Sequence, residues 1–386
     1  MTAKPRPWNK LPVALLLATI GLVLPVDGYL AQDKVKLPGR PASKKVREIE
    51  REEWFDGRAG TKLERKLMNE SYVGRWLTAH HNELSYRLLR RTSPASWVGR
   101  DDWLFIPQRV RDLRPREWED LVRFDVAAIV EMNRRVARSG ARLVVALVPD
   151  RARIYPDKAY PTGTLPPGKA GFLPAMQAAL TAQGVVAVDL TEAMAARRAA
   201  GEQVFYSDDH HWTSTGAKAA AQGIVAALPP ELREIVRGKE QRPHYRETWK
   251  AKGKHRSSIT VKLGFVPNGE LENSFKVPQP RVRQRGKKVK GFAESCATYW
   301  STSYGLYGSP QFFANEVRCP VRILMKAGAG SSWAPLRDLP KVARAGGLEG
   351  RHLVIWEIPE YHLVDVGGKM PSAFDAIRQR FAKRKP

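Results

Sequence analysis

Hydrophobic and polar positions along this 386-residue chain follow two periodicities that alternate from about residue 115 onward. Some stretches place apolar residues at helical spacing, and others form short continuous apolar runs, which are typical of strands buried on both faces. Residues 115–139 show the helical pattern, with a proline in the first turn, where a missing N–H is tolerated. Residues 142–149 form an apolar run ended by proline, and we predict a strand there.

The alternation continues to the C-terminus and predicts further elements. We expect strands at residues 185–190, 292–302, 321–325 and 352–358, and helices at residues 54–89, 168–182, 215–228, 310–317, 333–344 and 371–383. This order indicates an α/β fold with a mostly parallel sheet. A basic stretch at residues 237–290, interrupted by prolines, predicts an insertion of short strands and loops.

The N-terminal segment has the layout of an export signal. Lys4, Arg6 and Lys10 precede an uncharged apolar run at residues 11–25. A cleavage site ending at Ala31 would need a small residue two positions earlier, where Tyr29 stands, so an uncleaved signal anchor is favoured over a removed signal peptide. We therefore predict that the bulk of the chain is exported to the periplasm and held at the inner membrane.

Three regions follow from these patterns. Residues 1–27 are the signal anchor or signal peptide, and residues 28–90 are a basic linker and helical connector. Residues 91–386 form the α/β domain, with the basic insertion at about residues 237–290.

The charge balance indicates which classes of partner the chain could bind. The chain has 65 Lys and Arg against 39 Asp and Glu, a formal net charge of +26, which points to a polyanionic partner or an anionic surface. Zinc-finger spacing, an RNP-like aromatic pattern and a basic heptad region are all missing, so we predict no nucleic acid. An acidic polysaccharide and phospholipid headgroups remain open, as does a merely solvated basic face.

Cys296 and Cys319 are the two cysteines of the chain. In an exported protein they can pair, but spacing alone does not show whether their Cα atoms come close enough, so the disulfide stays open here. Neither cysteine lies in a CxxC or histidine-rich setting, so a structural zinc site is not supported.

Candidate chemistry begins at Asp209 and His211, where a carboxylate precedes a histidine by two residues in a polar loop between predicted strand 185–190 and helix 215–228. That spacing suits an acid that orients a catalytic base. Asp208 and His210 duplicate both residue types, so Asp208 remains an alternative acid. Residues 208–211 offer metal ligands as well, but adjacent histidines in an extended segment point to opposite faces, and we predict no metal.

A nucleophile is expected where a strand turns into a helix beside small residues. Ser303 fits, because it follows the predicted strand 292–302 in a turn rich in serine and glycine, and His211 is the base that would take its proton. An ordinary serine turn or helix cap is the alternative interpretation of Ser303. Ser295, which follows Glu294, is a rival nucleophile.

Several blocks of sequence, taken in order, resemble a known family. They are Asp101 to Phe105, Val148 to Pro156, Asp209 to Thr213 with Gly216, Thr302 to Tyr304, the turn Gly328 to Gly330, and Val354 to Glu360. Together they resemble the AlgX/AlgJ-type alginate O-acetyltransferases, whose catalytic domain is SGNH-hydrolase-like. The resemblance covers roughly Trp97 to the C-terminus apart from the basic insertion. It implies a three-layer sandwich in which the Asp-x-His block precedes the serine, a rearranged order compared with ordinary SGNH hydrolases.

Carried over residue by residue, the resemblance implies that Asp209 orients the base, His211 is the base and Ser303 is the nucleophile. Gly328 or Gly330 would supply an oxyanion-hole amide beside that of Ser303.

Substrate contacts are less sharply indicated. Tyr304 either stacks on a sugar or fills its turn, and Trp212 is either a substrate contact or core packing. After Pro359 and Glu360 the family often has Arg-Tyr, whereas this chain has Tyr361 and His362, which puts in doubt the substrate contact that the arginine would make.

The resemblance implies an exported O-acetyltransferase that moves an acetyl group through an acetyl-serine onto hydroxyls of an alginate-like, anionic exopolysaccharide. No cofactor is expected, and a membrane-bound O-acyltransferase would be the partner that supplies acetyl groups. The alternatives are an SGNH-type acetylesterase and a non-catalytic polysaccharide-binding module that uses the basic insertion.

Overall fold

The computed structural model describes most of the chain beyond residue 70. The described residues are 26, 62, 71–91, 96–237, 243–253, 257, 259, 263–265, 269–274, 279–286, 289–345, 348, 350–364 and 377. The predicted signal segment, apart from Val26, and the predicted C-terminal helix, apart from Ile377, lie outside this set. Within it, each helix is too short or too polar to cross a bilayer.

Helices and strands alternate much as the periodicity predicts. The helices are α1 Tyr72–Leu89, α2 Pro107–Val110, α3 Pro115–Arg138, α4 Arg151–Ile154, α5 Pro156–Ala159, α6 Pro167–Ala182, α7 Thr191–Ala199, α8 Ser214–Ala227, α9 Pro230–Val236, α10 Glu270–Ser274, α11 Ser309–Val317, α12 Trp333–Arg344 and α13 Glu360–Leu363. The strands are β1 Trp97–Val98, β2 Leu104–Phe105, β3 Arg142–Val148, β4 Val186–Asp189, β5 Arg246–Gly253, β6 Gln279–Arg285, β7 Ala297–Ser301, β8 Val321–Met325 and β9 Leu353–Pro359.

A five-stranded parallel sheet in the order β4-β3-β9-β7-β8 forms the centre of the domain. The last strand in the sequence, β9, lies between β3 and β7, and Trp356 pairs with Val145 on one side and with Trp300 on the other. Because all five strands are parallel, their carboxyl ends share one edge, where α/β folds place their ligands. This edge carries the candidate site.

Both faces of the sheet are covered. On β3, Val144 and Ala146 pack into one core with α8 and α11, whereas Leu143 and Val145 pack into a second core with α3, α6 and α12. Side chains of a strand alternate between faces, so burial of every second residue on each side requires helices on both faces. The result is the predicted α/β sandwich of three layers.

Helix α7 was not predicted, and it corrects one part of the sequence interpretation. Its nine residues are mostly Ala, Arg and Glu, and Met194 is the residue that it buries, so the apolar pattern is too sparse to indicate a helix. The Asp-His loop therefore follows a helix and does not leave strand β4 directly.

The predicted basic insertion, residues 237–290, is divided between two compact units. Strands β5 and β6 form a two-stranded antiparallel sheet in which Trp249 pairs with Val282, and the Val282 N–H donates to Ser214 Oγ on α8 over 3.2 Å. Residues Ser257–Lys276 fall instead into a second compact unit with Met1–Val98. In that unit the Asn82 amide donates to the carbonyl of Leu263 over 3.0 Å.

Cys296 and Cys319 form a disulfide, which settles the pairing that the sequence leaves open. Cys296 directly precedes β7, and Cys319 lies between α11 and β8. The bond therefore closes the crossover that connects two neighbouring parallel strands.

We expect the double variant C296S/C319S to lose roughly 3 kcal/mol of unfolding free energy, because the bond closes a loop with a sequence separation of 23. Urea denaturation followed by circular dichroism measures the loss, and reducing agent added to the wild type should reproduce it. Equal midpoints for the oxidised wild type and the double variant would contradict the prediction.

Candidate active site

Ser303 opens a short 3-10 turn, Ser303–Tyr307, directly beyond β7. Thr302 caps this turn, and its Oγ1 accepts the Tyr304 N–H over 3.3 Å. Gly305 is required by close packing, because a Cβ there would lie 2.4 Å from Ser301 Oγ. The turn leaves Ser303 partly exposed at the carboxyl edge of the sheet while the residues on both sides of it are buried.

The loop that carries Asp209 and His211 is a tight excursion closed at its base. Phe205 and Trp212 form an antiparallel bridge, and the Thr213 N–H donates to the Val204 carbonyl over 2.9 Å. Helix α8 starts immediately afterwards, with Thr213 as its cap. The tip of the loop is thus anchored to a helix and aimed at β7.

Asp209, His211 and Ser303 meet although 92 residues separate the histidine from the serine. His211 Nε2 lies 2.7 Å from Ser303 Oγ, and His211 Nδ1 lies 2.8 Å from Asp209 Oδ1. The same carboxylate oxygen accepts the His211 backbone N–H over 3.2 Å. This is the geometry of a hydroxyl nucleophile, its base and the acid that fixes the tautomer of the base.

Two hydrogen bonds join the histidine loop to the serine turn. Trp212 Nε1 donates to the Tyr304 carbonyl over 2.8 Å, and the Tyr304 hydroxyl donates to the His210 carbonyl over 2.7 Å. Trp212 is 0% exposed and Tyr304 is 1% exposed. This burial argues against sugar contacts by Trp212 and Tyr304 and favours the alternative of core packing, because both residues hold the two loops together.

Arg151 fixes the backbone of the loop that carries Asp209 and His211. Its Nη1 donates to the Tyr206 carbonyl over 2.5 Å and to the carbonyl of Asp209, and its guanidinium packs against the ring of Phe105 at 4.5 Å. Burial lowers the pKa of Arg151 to about 10, and the Asp209 and Asp208 carboxylates oppose that change. The arginine stays charged at neutral pH and sets the path of the backbone on which the acid lies.

An extended backbone would point the side chains of His210 and His211 to opposite faces, but in the structure the two rings lie side by side. The two rings are 3.9 Å apart, and His210 Nδ1 lies 3.2 Å from Asp209 Oδ1, because residues 207–211 bend and do not form a strand. Asp209, His210 and His211 thus have ligand atoms within 4.8 Å of one another. An ion there would have to break the bond from His211 to Asp209, since His211 Nε2 is already directed at Ser303.

The other residues predicted for the site do not join the hydrogen-bonded series of Asp209, His211 and Ser303. Ser295 lies at the opposite end of β7, and its hydroxyl donates to the Gly291 carbonyl over 3.0 Å, which argues against it as the nucleophile. Asp208 is buried beside the site, but the oxygen that faces His211 belongs to Asp209. Gly328 and Gly330 follow β8 at the same edge, both with φ +71°, and their role as amide donors stays a prediction.

Glu357 on β9 lies beneath the serine turn and was not predicted. Its carboxylate accepts the hydroxyls of Ser301 over 2.6 Å, Ser309 over 2.9 Å and Tyr299 over 3.3 Å. Burial raises the pKa of Glu357 to about 7, although these donors favour the charged form. An acidic residue inside the apolar run 353–359 was the signal that could have indicated it.

Glu360 lies three residues further along the chain, at the start of α13, and its environment is ionic. Arg153 donates to it through Nε over 3.0 Å and Nη2 over 2.7 Å, and the Asp150 N–H donates over 2.8 Å. Lys169 in turn pairs with Asp150 over 2.8 Å. Lys169 and Arg153 hold the pKa of Glu360 at about 2 despite its burial, so this cluster ties the end of β9 to β3 and α6.

Arg109 lies at the rim of the site. Its guanidinium carbon lies 3.3 Å from the ring centroid of Tyr361, whose ring is 5.9 Å from that of His210. Arg109 and His210 line the same small cavity with Phe105 and Asp150. Burial lowers the pKa of His210 well below its usual range, and the charge of Arg109 lowers it further. The positive charge of the rim therefore comes from Arg109.

Comparison with known proteins agrees with this arrangement. Residues 97–360, more than half of the chain, match the family described as "SGNH hydrolase-like domain, acetyltransferase AlgX". The chain belongs to this family. The expected fold class, the family and the class of enzyme, an O-acetyltransferase, are thereby confirmed.

Relatives of this family member include the probable alginate O-acetylase AlgJ of Pseudomonas fluorescens, 27% identical over 314 residues that cover 77% of this chain and 76% of the relative. The protein of the same description from Pseudomonas syringae pv. tomato is 29% identical over 295 residues, 72% of each chain. The solved O-acetyltransferase domain of Pseudomonas putida AlgJ has the same fold, with a TM-score of 0.58 and 22% identity, over 75% of this chain and 100% of that domain.

Glu357 gives a pH prediction. A raised carboxyl pKa means that its contribution to stability is complete below about pH 4.5 and is lost as pH rises through about 7. We expect the wild type to lose roughly 2 kcal/mol of unfolding free energy relative to E357Q between pH 5 and pH 8, because glutamine cannot ionise. Urea denaturation of both proteins at each pH measures this, and parallel pH profiles would rule it out.

Proposed function

We propose that this protein is an exported O-acetyltransferase in which Ser303 carries the acetyl group as an acetyl-serine. The observation that supports this most directly is the hydrogen-bonded series from Asp209 through His211 to Ser303, with both distances below 3 Å. Family membership supports transfer of an acetyl group, and the series supplies a nucleophile and a base for it.

The first half-reaction forms the acetyl-enzyme. His211 Nε2 takes the Ser303 Oγ proton as Oγ attacks the acetyl carbonyl carbon, and the resulting oxyanion needs N–H donors such as the Ser303 amide at the start of its turn. Collapse breaks the bond to the leaving group, which receives the proton from His211. Asp209 stabilises the imidazolium that exists between these two transfers.

The second half-reaction regenerates the enzyme. His211 takes the proton of an acceptor hydroxyl as that oxygen attacks the acetyl-serine carbonyl, and it returns the proton to Ser303 Oγ when the acyl-oxygen bond breaks. With water as acceptor the same steps make the protein an acetylesterase. The acceptor that reaches Ser303 therefore decides between transfer and hydrolysis.

We infer that the acceptor is an alginate-like anionic polysaccharide. Two relatives are described as probable alginate O-acetylases, and the chain carries a net charge of +26. Arg109 adds a local reason, because its guanidinium packs on Tyr361 beside His210 and makes no ion pair with any carboxylate among the described residues. A uronate carboxylate would give the Arg109 guanidinium an ion-pair partner.

Export and the donor partner belong to the same proposal. The disulfide between Cys296 and Cys319 is of the kind that persists in oxidising compartments such as the periplasm, and the N-terminal residues have the pattern of an export signal. Acetyl groups available outside the inner membrane require a membrane-bound O-acyltransferase as the supplier.

Replacing the nucleophile tests the proposal. We expect S303A to form no acetyl-enzyme with a small activated acetyl ester and to lose activity by about 10³-fold or more, because the covalent route is closed. Intact-protein mass spectrometry followed by peptide mapping locates the acetyl group. S295A is the matched control and should label like the wild type, since its hydroxyl is bonded away from the site.

Two results would count against the proposal. One is an acetyl group found on Ser295 or another residue, and the other is S303A with undiminished transfer. Acetate release that remains far faster than transfer at saturating alginate would favour the acetylesterase.

Arg109 gives a prediction about the acceptor. We expect R109Q to raise KM for an alginate oligomer about tenfold and to leave KM for a neutral oligosaccharide of the same length unchanged, because one charge-assisted hydrogen bond is lost. R138Q removes an equal charge from the exposed end of α3 and serves as the control. Equal KM changes for the anionic and neutral acceptors would refute the carboxylate contact.

A further inference from the structure

A second cavity, of about 760 Å³, lies beside helix α8. Thr215, Lys218 and Gln222 line it from α8, and their spacing of three and four residues puts them on one face of the helix. Residues 201–203, which follow α7, and Trp249 of strand β5 also line it. None of the residues that line it belongs to the Ser303 site.

Trp249 presents its indole to this cavity. Trp249 is 42% exposed, which is unusual for a large aromatic residue. Phe312 supports the ring by stacking at 6.1 Å, and the Lys218 ammonium lies 5.9 Å from its centroid. The indole is therefore held in place by its neighbours while a large part of it remains open to solvent.

Polar groups around the indole are fixed by neighbouring side chains. Arg197 donates to Glu202 Oε1 and to Gln222 Oε1, each over 2.9 Å. Lys218 lies 3.5 Å from Glu247 Oε2. The cavity thus combines one apolar ring with oriented guanidinium, ammonium, amide and carboxylate groups, and hydrogen-bond partners hold most of them in place before any ligand binds.

This combination matches a pyranose ring. A sugar has an apolar face of C–H groups that packs on an aromatic ring, and a rim of hydroxyls that needs donors and acceptors. A uronate adds a carboxylate, for which the Lys218 ammonium is suited, because it has three donors and its contact with Glu247 is long, at 3.5 Å. A lipid chain would leave the polar groups of this cavity without water, at a cost in desolvation.

We propose that the Trp249 cavity is a binding subsite for the acetyl-accepting polysaccharide, separate from the Ser303 site. This inference rests on the proposed function, because it takes the acceptor to be an alginate-like polymer. Helix α8 begins at Ser214, three positions after His211, and Thr215 to Gln222 span about 10 Å along its axis at 1.5 Å per residue. A polymer chain that follows this helix would have to be several sugars long to occupy both sites.

The subsite has a functional consequence for a polymer-modifying enzyme. A chain bound at Trp249 presents its neighbouring sugars to Ser303 at a high effective concentration, whereas a disaccharide cannot occupy both sites. Affinity for the acceptor should therefore grow with its length.

The test compares W249A with W249F in the S303A background, which prevents turnover. Calorimetry measures Kd for alginate oligomers of two sugars and of about ten sugars. We expect W249A to weaken binding of the long oligomer about tenfold, because a stacking contact is lost, and to weaken binding of the short one much less, because a disaccharide can still bind beside residue 303. W249F keeps a ring and should stay within about threefold. W76A removes another exposed tryptophan, on α1, and is the control.

Equal affinity of W249A and its parent for the long oligomer would overturn the subsite, and so would equal losses for both lengths. If W249A fails to fold, as judged by circular dichroism, K218M takes its place with the same expectation for the long oligomer. Acetyl-serine formation in the wild type is measured separately with a small ester. Its failure would refute the proposed function without touching the Kd comparison, and a length-independent Kd with normal acetyl-serine formation would refute the subsite alone.

Discussion

The buried guanidinium of Arg151 is the constraint on which the site depends. A charge taken out of water must be paired and hydrogen-bonded, and Arg151 meets that requirement with the Tyr206 and Asp209 carbonyls, while the carboxylates of Asp208 and Asp209 supply opposite charge. These partners fix the backbone of the loop. Once it is fixed, Asp209 has one position from which it holds His211 against Ser303, and the bond from Trp212 to Tyr304 brings the serine turn to the same place.

Glu360 and Glu357, three positions apart at this edge of the sheet, have opposite pKa shifts because their neighbours differ. Glu360 has the Arg153 guanidinium and the Lys169 ammonium nearby and has a pKa of about 2. Glu357 is equally buried but is bonded to hydroxyls, which cannot offset the desolvation of a carboxylate, so its pKa is about 7. The first pins β9 to its neighbours by ionic contacts, whereas the second supports the Ser303 turn with a group that titrates near neutrality.

Much of this arrangement follows from the sequence, for identifiable reasons. Strands such as β3 are continuous apolar runs, and helix α3 has a clear apolar stripe, so both were predicted to within a residue or two. The approach of Ser303 to His211 was predicted from a resemblance of ordered blocks. Local patterns did not indicate helix α7, which buries one large side chain, or the burial of Trp212 and Tyr304, since an aromatic ring beside a catalytic residue has the same local sequence whether it contacts substrate or core.

In the proposed mechanism the triad does not distinguish a sugar hydroxyl from water, because His211 would remove a proton from either in the same way. Water is always present at high concentration. Transfer would therefore prevail only when an acceptor hydroxyl stays near the acetyl-serine for longer than a water molecule does. Binding contacts away from the reacting atoms provide that longer stay of the acceptor. The contacts proposed at Arg109 and at Trp249 would be of that kind. The balance between transfer and hydrolysis is then a property of the surface around the triad, which explains how one hydrolase-like fold supports an acetyltransferase.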